Sequence, residues 1–178
     1  MNPYRVSRQF LQSRGDTDIH VYGETPLTTL EVIAERCQLT PNDLLYDLGC
    51  GPGRTSFWFH SLIGCRVFGI EQIPAFTKMA QRVAYQINAG REIQFTCADL
   101  LQADYSKATA IYLYGTCFDE SFITKLNKAF LSLPKGAKVI TVSYPLTDYL
   151  GGEIFCLREN FPARFPWGEG EIYLQVRI

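Results

Sequence analysis

The chain has 178 residues, 47% of them hydrophobic and 20% charged, with a formal net charge of −1. That length suits one well-buried core and is short for two ordinary domains. The charge argues against a general electrostatic footprint for nucleic acid, and no run of about eighteen apolar residues is present to span a membrane. Neither nucleic acid nor membrane is therefore an expected partner. Six cysteines, Cys37, Cys50, Cys65, Cys97, Cys117 and Cys156, are spread without C-x-x-C spacing, most of them in apolar runs where cysteine acts as a small hydrophobe. His20 and His60 are far apart, so no metal site is expected. The reading is a cytoplasmic protein. The N-terminal MNPYRVSRQFLQSRGD shares arginines and serines with organellar transit peptides but lacks the apolar core of a secretory signal.

In chain order, a polar N-terminal segment precedes TPLTTLEVIAERCQL, in which Leu27, Leu30, Ile33, Ala34 and Cys37 recur at helical spacing behind Pro26. LLYDL reads as a strand, RTSFWFHSLI as a helix and RVFGI as a second strand. IPAFTKMAQRVAYQINAG is a helix ended by Asn88 and Gly90. IQFTCAD and AIYLYG are the third and fourth strands, DESFITKLNKAFLSL is a helix with acids in its first turn, and AKVITVSY is the fifth strand. Strands apolar on both faces and separated by helices imply a parallel sheet covered on each side. GEIFCLREN and GEIYLQVRI break the rhythm and read as an antiparallel pair at one sheet edge, with proline, Trp167 and glycines between them. The expected fold is α/β: a doubly wound, seven-stranded, mostly parallel sheet with an antiparallel C-terminal hairpin. Residues 1–178 are expected to form one domain, with 1–40 as an N-terminal lid or helical segment.

Glycine falls at every second position after the first strand, at Gly49, Gly51 and Gly53. Such a loop lies at the carboxyl edge of the sheet, where ligands bind, and small residues let a ligand approach the backbone beside free amides at a helix N-terminus. The pattern is D-x-G-x-G-x-G rather than the G-x-G-x-x-G of pyrophosphate sites. Asp47 ahead of the glycines disfavours a pyrophosphate and suits a cationic amine. Glu71 ends the second strand, where a carboxylate can accept both ribose hydroxyls, and Asp99 ends the third, in reach of an adenine amino group. Three strands each ending in an acid describe a pocket for an adenosine that carries positive charge and no phosphate. S-adenosylmethionine fits that description.

These features resemble the class I S-adenosylmethionine-dependent methyltransferases from about residue 40 to the end. VYGETPLTTLEVIAE, GIEQIPAFTKMA and AIYLYGTCFDESFITKLNKAFLSLPKGAKVITVSYPL further resemble the catalytic core of the non-SET histone-lysine methyltransferases, the telomeric-silencing-disruptor family. The resemblance implies that Tyr22 to Thr25 folds over the methionine part of the cofactor, with Glu24 and Thr25 at its amino and carboxylate ends beside Asp47 and Gly49. The candidate cofactor residues are thus Tyr22, Glu24, Thr25, Asp47, Gly49, Gly51, Gly53, Thr55, Glu71, Gln72, Asp99 and Leu100. Candidates for the acceptor side are Tyr114, Thr116 and Phe118, with Tyr144 and Trp167 as further aromatics of the same rim.

The chain departs from the family after the fourth strand. A pair of asparagines before phenylalanine is replaced by Tyr114-Gly115-Thr116-Cys117-Phe118, and the basic extensions of the histone enzymes are not expected here. Histone as substrate does not follow. The Pro-Pro-aromatic run of enzymes that methylate adenine or glutamine amides is absent, and Cys117 follows threonine rather than the proline of cytosine-C5 enzymes. Asp119 and Glu120 read as charges at a helix N-terminus rather than metal ligands. The expected reaction is methylation of a protein lysine or similar amine. A small-molecule acceptor, or a cofactor-binding module without catalysis, is the alternative.

Overall fold

The computed structural model describes residues 2–17 and 22–178; His20 and Val21, named above, lie outside the described residues. Five parallel strands, β1 (Leu44–Leu48), β2 (Arg66–Glu71), β3 (Ile93–Cys97), β4 (Ala110–Leu113) and β5 (Lys138–Val142), are joined by β6 (Phe155–Phe165) and β7 (Gly168–Arg177). Their order is β3-β2-β1-β4-β5-β7-β6, with β7 antiparallel to both β5 and β6. The expected doubly wound sheet with its antiparallel hairpin is therefore present.

Side chains that alternate along each strand feed two cores. Leu45, Val67, Ile93, Tyr112 and Ile140 point to one face, where they meet α2 (Leu27–Arg36), α3 (Arg54–Trp58, continued by a π-turn over Phe59–Ile63) and α4 (Pro74–Gln86). Tyr46, Ile70, Ile111, Leu113 and Val139 point to the other, against Ile123 and Leu126 of α5 (Glu120–Ala129). A further helix, α1 (Pro3–Arg14), precedes them all. Asp119 caps α5 by accepting the Phe122 amide at 2.7 Å, as its place before the helix predicts.

The hairpin is longer than the sequence reading. Strand β6 continues through Pro162 to Phe165, leaving only Pro166 and Trp167 as the turn. Proline is tolerated because β6 is the outermost strand, where a missing ladder donor costs least. Helix α4 stops earlier than Gly90: Asn88 already takes a left-handed φ of 57°.

The end of the sheet away from the strand tips is tied by Asp43, which accepts the Thr40 amide and the Thr109 hydroxyl, each at 2.9 Å, and pairs with Lys138 at 3.3 Å. Burial alone would raise its carboxyl pKa, but these three partners together lower it. Asp43→Ala is expected to cost about 2–3 kcal/mol in urea unfolding, as for a charged hydrogen-bonded group. A depressed carboxyl contributes stability above its unfolded pKa and loses it as pH falls through the folded value, so the difference between wild type and variant should vanish in acid.

Candidate functional site

Parallel register sets the carboxyl ends of β1, β2 and β4 in a row: Asp47 sits opposite Gly69 and Tyr112, Leu48 opposite Ile70 and Leu113. The glycine loop leaves β1 at that edge. All three glycines have positive φ, and their hydrogens face different neighbours. A Cβ on Gly49 would meet nothing within 4 Å, one on Gly51 would lie 3.3 Å from the Tyr22 ring, and one on Gly53 would strike Phe95 at 2.8 Å. Gly53 therefore serves packing and the entrance to α3, whereas Gly49 faces open space. Most of the loop's amides are already used. Gly49 and Cys50 donate to the Ile70 carbonyl, Gly51 to Glu71 and Gly53 to Cys50. The free amides that the sequence suggested are thus largely spent inside the protein, because β2 lies close enough to accept them.

Two adjoining cavities open at this edge. The larger, of about 180 Å³, is lined by Gly49, Glu71, Gln72, Asp99, Leu100, Tyr114 and Phe118, among others. The smaller, of about 30 Å³, is lined by Glu24, Thr25, Asp47, Gly51, Thr55 and Arg54, and shares Tyr22, Gly23, Gly49 and Tyr114 with the larger. Thirteen of the fifteen candidate residues line one cavity or the other; Gly53 and Thr116 lie outside both, Thr116 on an exposed turn.

In the larger cavity Glu71 is 7% exposed and accepts Gly51 N–H at 3.0 Å and Ile73 N–H at 2.7 Å. Burial raises its pKa against the pull of these amides. Asp99 uses one oxygen to cap the short turn at Leu101 (2.9 Å). In the smaller cavity Asp47 is 3% exposed and accepts the Ser56 hydroxyl at 2.6 Å. Burial pushes its carboxyl up to about 7, with Ser56 pulling down and Glu71 pushing up.

The Tyr22–Thr25 segment crosses the boundary between the cavities. Tyr22 donates to Glu24 at 2.6 Å, and its ring meets Tyr4 and Phe76. Glu24 also pairs with Arg54 at 3.4 Å. Thr25 is 1% exposed with its hydroxyl 2.6 Å from that of Tyr112, which anchors the segment in the core.

At the acceptor end the Tyr114 ring stacks on Phe165 at 5.4 Å, Phe165 stacks on Trp167 at 5.1 Å, and the Trp167 indole donates to the Tyr114 hydroxyl at 2.6 Å. Phe118 packs on Phe122 at 4.2 Å. Tyr144 donates to the Gly115 carbonyl at 3.1 Å and lines neither cavity. A Cβ on Gly115 would fall 2.5 Å from Phe118 and 2.9 Å from the Tyr144 hydroxyl. Any side chain at this position would therefore displace Phe118 or Tyr144.

Sequence reasoning missed Ser56, which holds Asp47 from outside both cavities, Arg54 in the smaller cavity, and Phe76 with the α1 residues Ser7 and Leu11 in the larger. Ser56 carries no spacing signal; α1 does, in Asn2-Pro3 at its start and Gly15, with φ 77°, at its end. Among the described residues, no group of three or more His, Cys, Asp or Glu side chains is placed to hold a metal, and no helix is long and apolar enough to cross a membrane.

A family model described as histone methylation protein DOT1 matches residues 8–148. The chain is 26% identical over 136 residues to a histone-lysine N-methyltransferase, H3 lysine-79 specific, of Dictyostelium discoideum, covering 68% of this chain and 7% of that protein. It is 27% identical over 154 residues to a carboxy-S-adenosyl-L-methionine synthase of Yersinia pestis, covering 82% of this chain and 57% of that one. The chain thus spans a small part of the first relative and little more than half of the second. Among solved structures, an RNA methyltransferase from Salinibacter ruber in complex with S-adenosyl-L-homocysteine superposes with a TM-score of 0.71 at 25% identity, over 86% of this chain and 93% of that one. Magnesium protoporphyrin IX methyltransferase from Synechocystis, with S-adenosylmethionine bound, gives a TM-score of 0.69 over 100% and 98% of the two chains. At 17% identity that likeness is one of fold.

Proposed function

The chain belongs to the DOT1 family of histone methylation proteins, and on that premise we propose that it transfers the methyl group of S-adenosylmethionine to a neutral amine, a protein lysine or similar acceptor. In this reading residues 1–178 act as one domain with α1 as its lid. The adenosine lies in the larger cavity, with its ribose on Glu71 and its adenine by Asp99 and Leu100. The methionine part lies along Asp47 and Gly49, under Tyr22 and Glu24.

The amine nitrogen attacks the methyl carbon in line from about 3 Å. The carbon–sulfur bond breaks with its electron pair on sulfur, a neutral thioether remains, and the product's extra proton passes to solvent. Burial raises the pKa of both the Tyr114 and Tyr144 phenols, so neither is a phenolate base at neutral pH. The acceptor must therefore arrive deprotonated, and the walls orient it and exclude water.

The observation that carries the amine reading is the position of Trp167. It bonds to Tyr114 at the cofactor cleft, and on its other side it lines an open groove with Glu169, Glu171 and Tyr173. A lysine crossing that groove as its ammonium meets carboxylates and aromatic faces, where cation–π attraction is worth about 0.5–2 kcal/mol, and it gives its proton to solvent there before the neutral nitrogen reaches the cleft. A small-molecule acceptor is the second reading, favoured by Cys117, Phe118 and Phe122 at one end of the larger cavity.

The test is to incubate the protein with methyl-tritiated S-adenosylmethionine and an extract of its own organism, then to count protein, nucleic acid and small molecules separately. Label in a discrete protein band that hydrolyses to methyl-lysine is the expected result; label only among small molecules or nucleic acid refutes it. Trp167→Ala is then expected to raise the acceptor KM about tenfold, which is about 1.4 kcal/mol, while S-adenosylhomocysteine binds as before. An unchanged KM would remove the hairpin tip from the acceptor path.

A further inference from the structure

The larger cavity has a roof that no motif marks. Helix α1 buries only two side chains, Ser7 and Leu11, which stand one turn apart on the same face. Both line the cavity that also holds Glu71, Asp99 and Leu100. Ser7 is 3% exposed, and its hydroxyl makes no hydrogen bond with any described residue. A serine hydroxyl has one donor and two acceptor sites, and one that lines a cavity offers them to whatever the cavity holds.

The helix is held in place independently of Ser7. Asn2 caps its start by accepting the Arg5 amide, Arg14 donates to Gln72 at 2.6 Å, and the Tyr4 ring meets Tyr22 at 5.0 Å. Ser7 thus stands over the cavity as a fixed polar point in an apolar roof.

We infer that Ser7 is a cofactor-binding residue whose hydroxyl donates to a ring nitrogen of the adenine, while Leu11 beside it covers the ring. The inference rests on reading this cavity as the adenosine site. It assigns the base two polar readers on different elements, Asp99 from the sheet and Ser7 from the roof. It also makes the bound adenosine part of the seat of α1, since the only side chains that helix buries face the ligand. Binding of adenosine and docking of α1 are then coupled.

The experiment is calorimetric titration of the full chain with S-adenosylhomocysteine and with methylthioadenosine, which keeps the adenosine and lacks the amino-acid end. Ser7→Ala should weaken both by about five- to tenfold, the worth of one ordinary hydrogen bond. Alanine is the better helix former, so α1 itself is retained. Hydrogen exchange should show the α1 amides at least about tenfold more protected with either ligand, an opening equilibrium moved by binding. Unchanged affinity in Ser7→Ala overturns the assignment, and unchanged protection overturns the coupling. The Glu71→Ala variant separates the two levels. If it binds both ligands at full strength the adenosine reading itself fails; if it loses them while Ser7→Ala does not, only the role of Ser7 falls.

Discussion

Glu71→Ala is expected to weaken S-adenosylhomocysteine binding by at least about tenfold, since a hydrogen bond to a charged group contributes about 1.5–3 kcal/mol. Two functions meet in this carboxylate. Its oxygens each accept a backbone amide, one from Gly51 in the glycine loop and one from Ile73 at the start of α4. Each oxygen has a second lone pair, and the residue lines the larger cavity, so the same group can accept the two ribose hydroxyls. Alanine removes the ribose acceptors and also orphans both amides, at about 1–3 kcal/mol for each unsatisfied buried group. A loss of stability therefore accompanies the loss of binding, and the two are measured separately, by urea unfolding without ligand and by calorimetry well below the melting range. Glu71→Gln is the useful companion. Its carbonyl oxygen keeps one amide partner, while its NH2 faces the other amide donor to donor, so it should fall between wild type and alanine in stability. Near wild-type affinity in a folded Glu71→Ala protein would reduce this strand-end acid to a tie between two loops.

The strand-end acids were legible in sequence because a parallel sheet places every carboxyl terminus on one edge. Asp47, Glu71 and Asp99 needed only a correct reading of three short apolar runs. The partners of those acids were not legible. Ser56 reaches Asp47 only because α3 begins at Arg54 and turns its third residue inward. Thr25 reads as a ligand contact in sequence but finds Tyr112, 87 positions away, in the core. The bounds of helix α1, within the expected N-terminal lid or helical segment, escaped because only Ser7 and Leu11 of its twelve residues are buried, too few to make an apolar stripe. The hairpin was shortened in the sequence reading by Pro162, a residue that argues against a central strand but not against the outermost one. The stack of Tyr114, Phe165 and Trp167 joins the fourth strand to the hairpin tip, a contact set by β7 pairing with β5 and invisible to local pattern.

Asp47 makes the second large effect one of pH. Burial pushes its carboxyl up to about 7 from the ordinary 3.8. The smaller cavity it lines is proposed to receive the cationic amine end of the cofactor, which favours the ionised form. One pH unit below that pKa the group is mostly protonated and binding must first ionise it; one unit above, it is ready. Affinity for S-adenosylhomocysteine is therefore expected to rise about tenfold between those two points, with proton release on binding near the midpoint. Stability of the empty protein should move the other way. A carboxyl whose folded pKa is raised contributes stability that is complete below its unfolded pKa and is lost as pH rises through the folded value. Over the window from 3.8 to about 7 the empty protein thus loses this contribution, while the liganded protein recovers it through the new ion pair. The shift in Tm on adding S-adenosylhomocysteine should accordingly widen with pH. Asp47→Asn cannot ionise and should bind with a flat pH profile, near the weak affinity that wild type has at the acid end. A flat profile in wild type would show that Asp47 keeps its proton with the cofactor bound and acts through Ser56 as a neutral brace for the glycine loop.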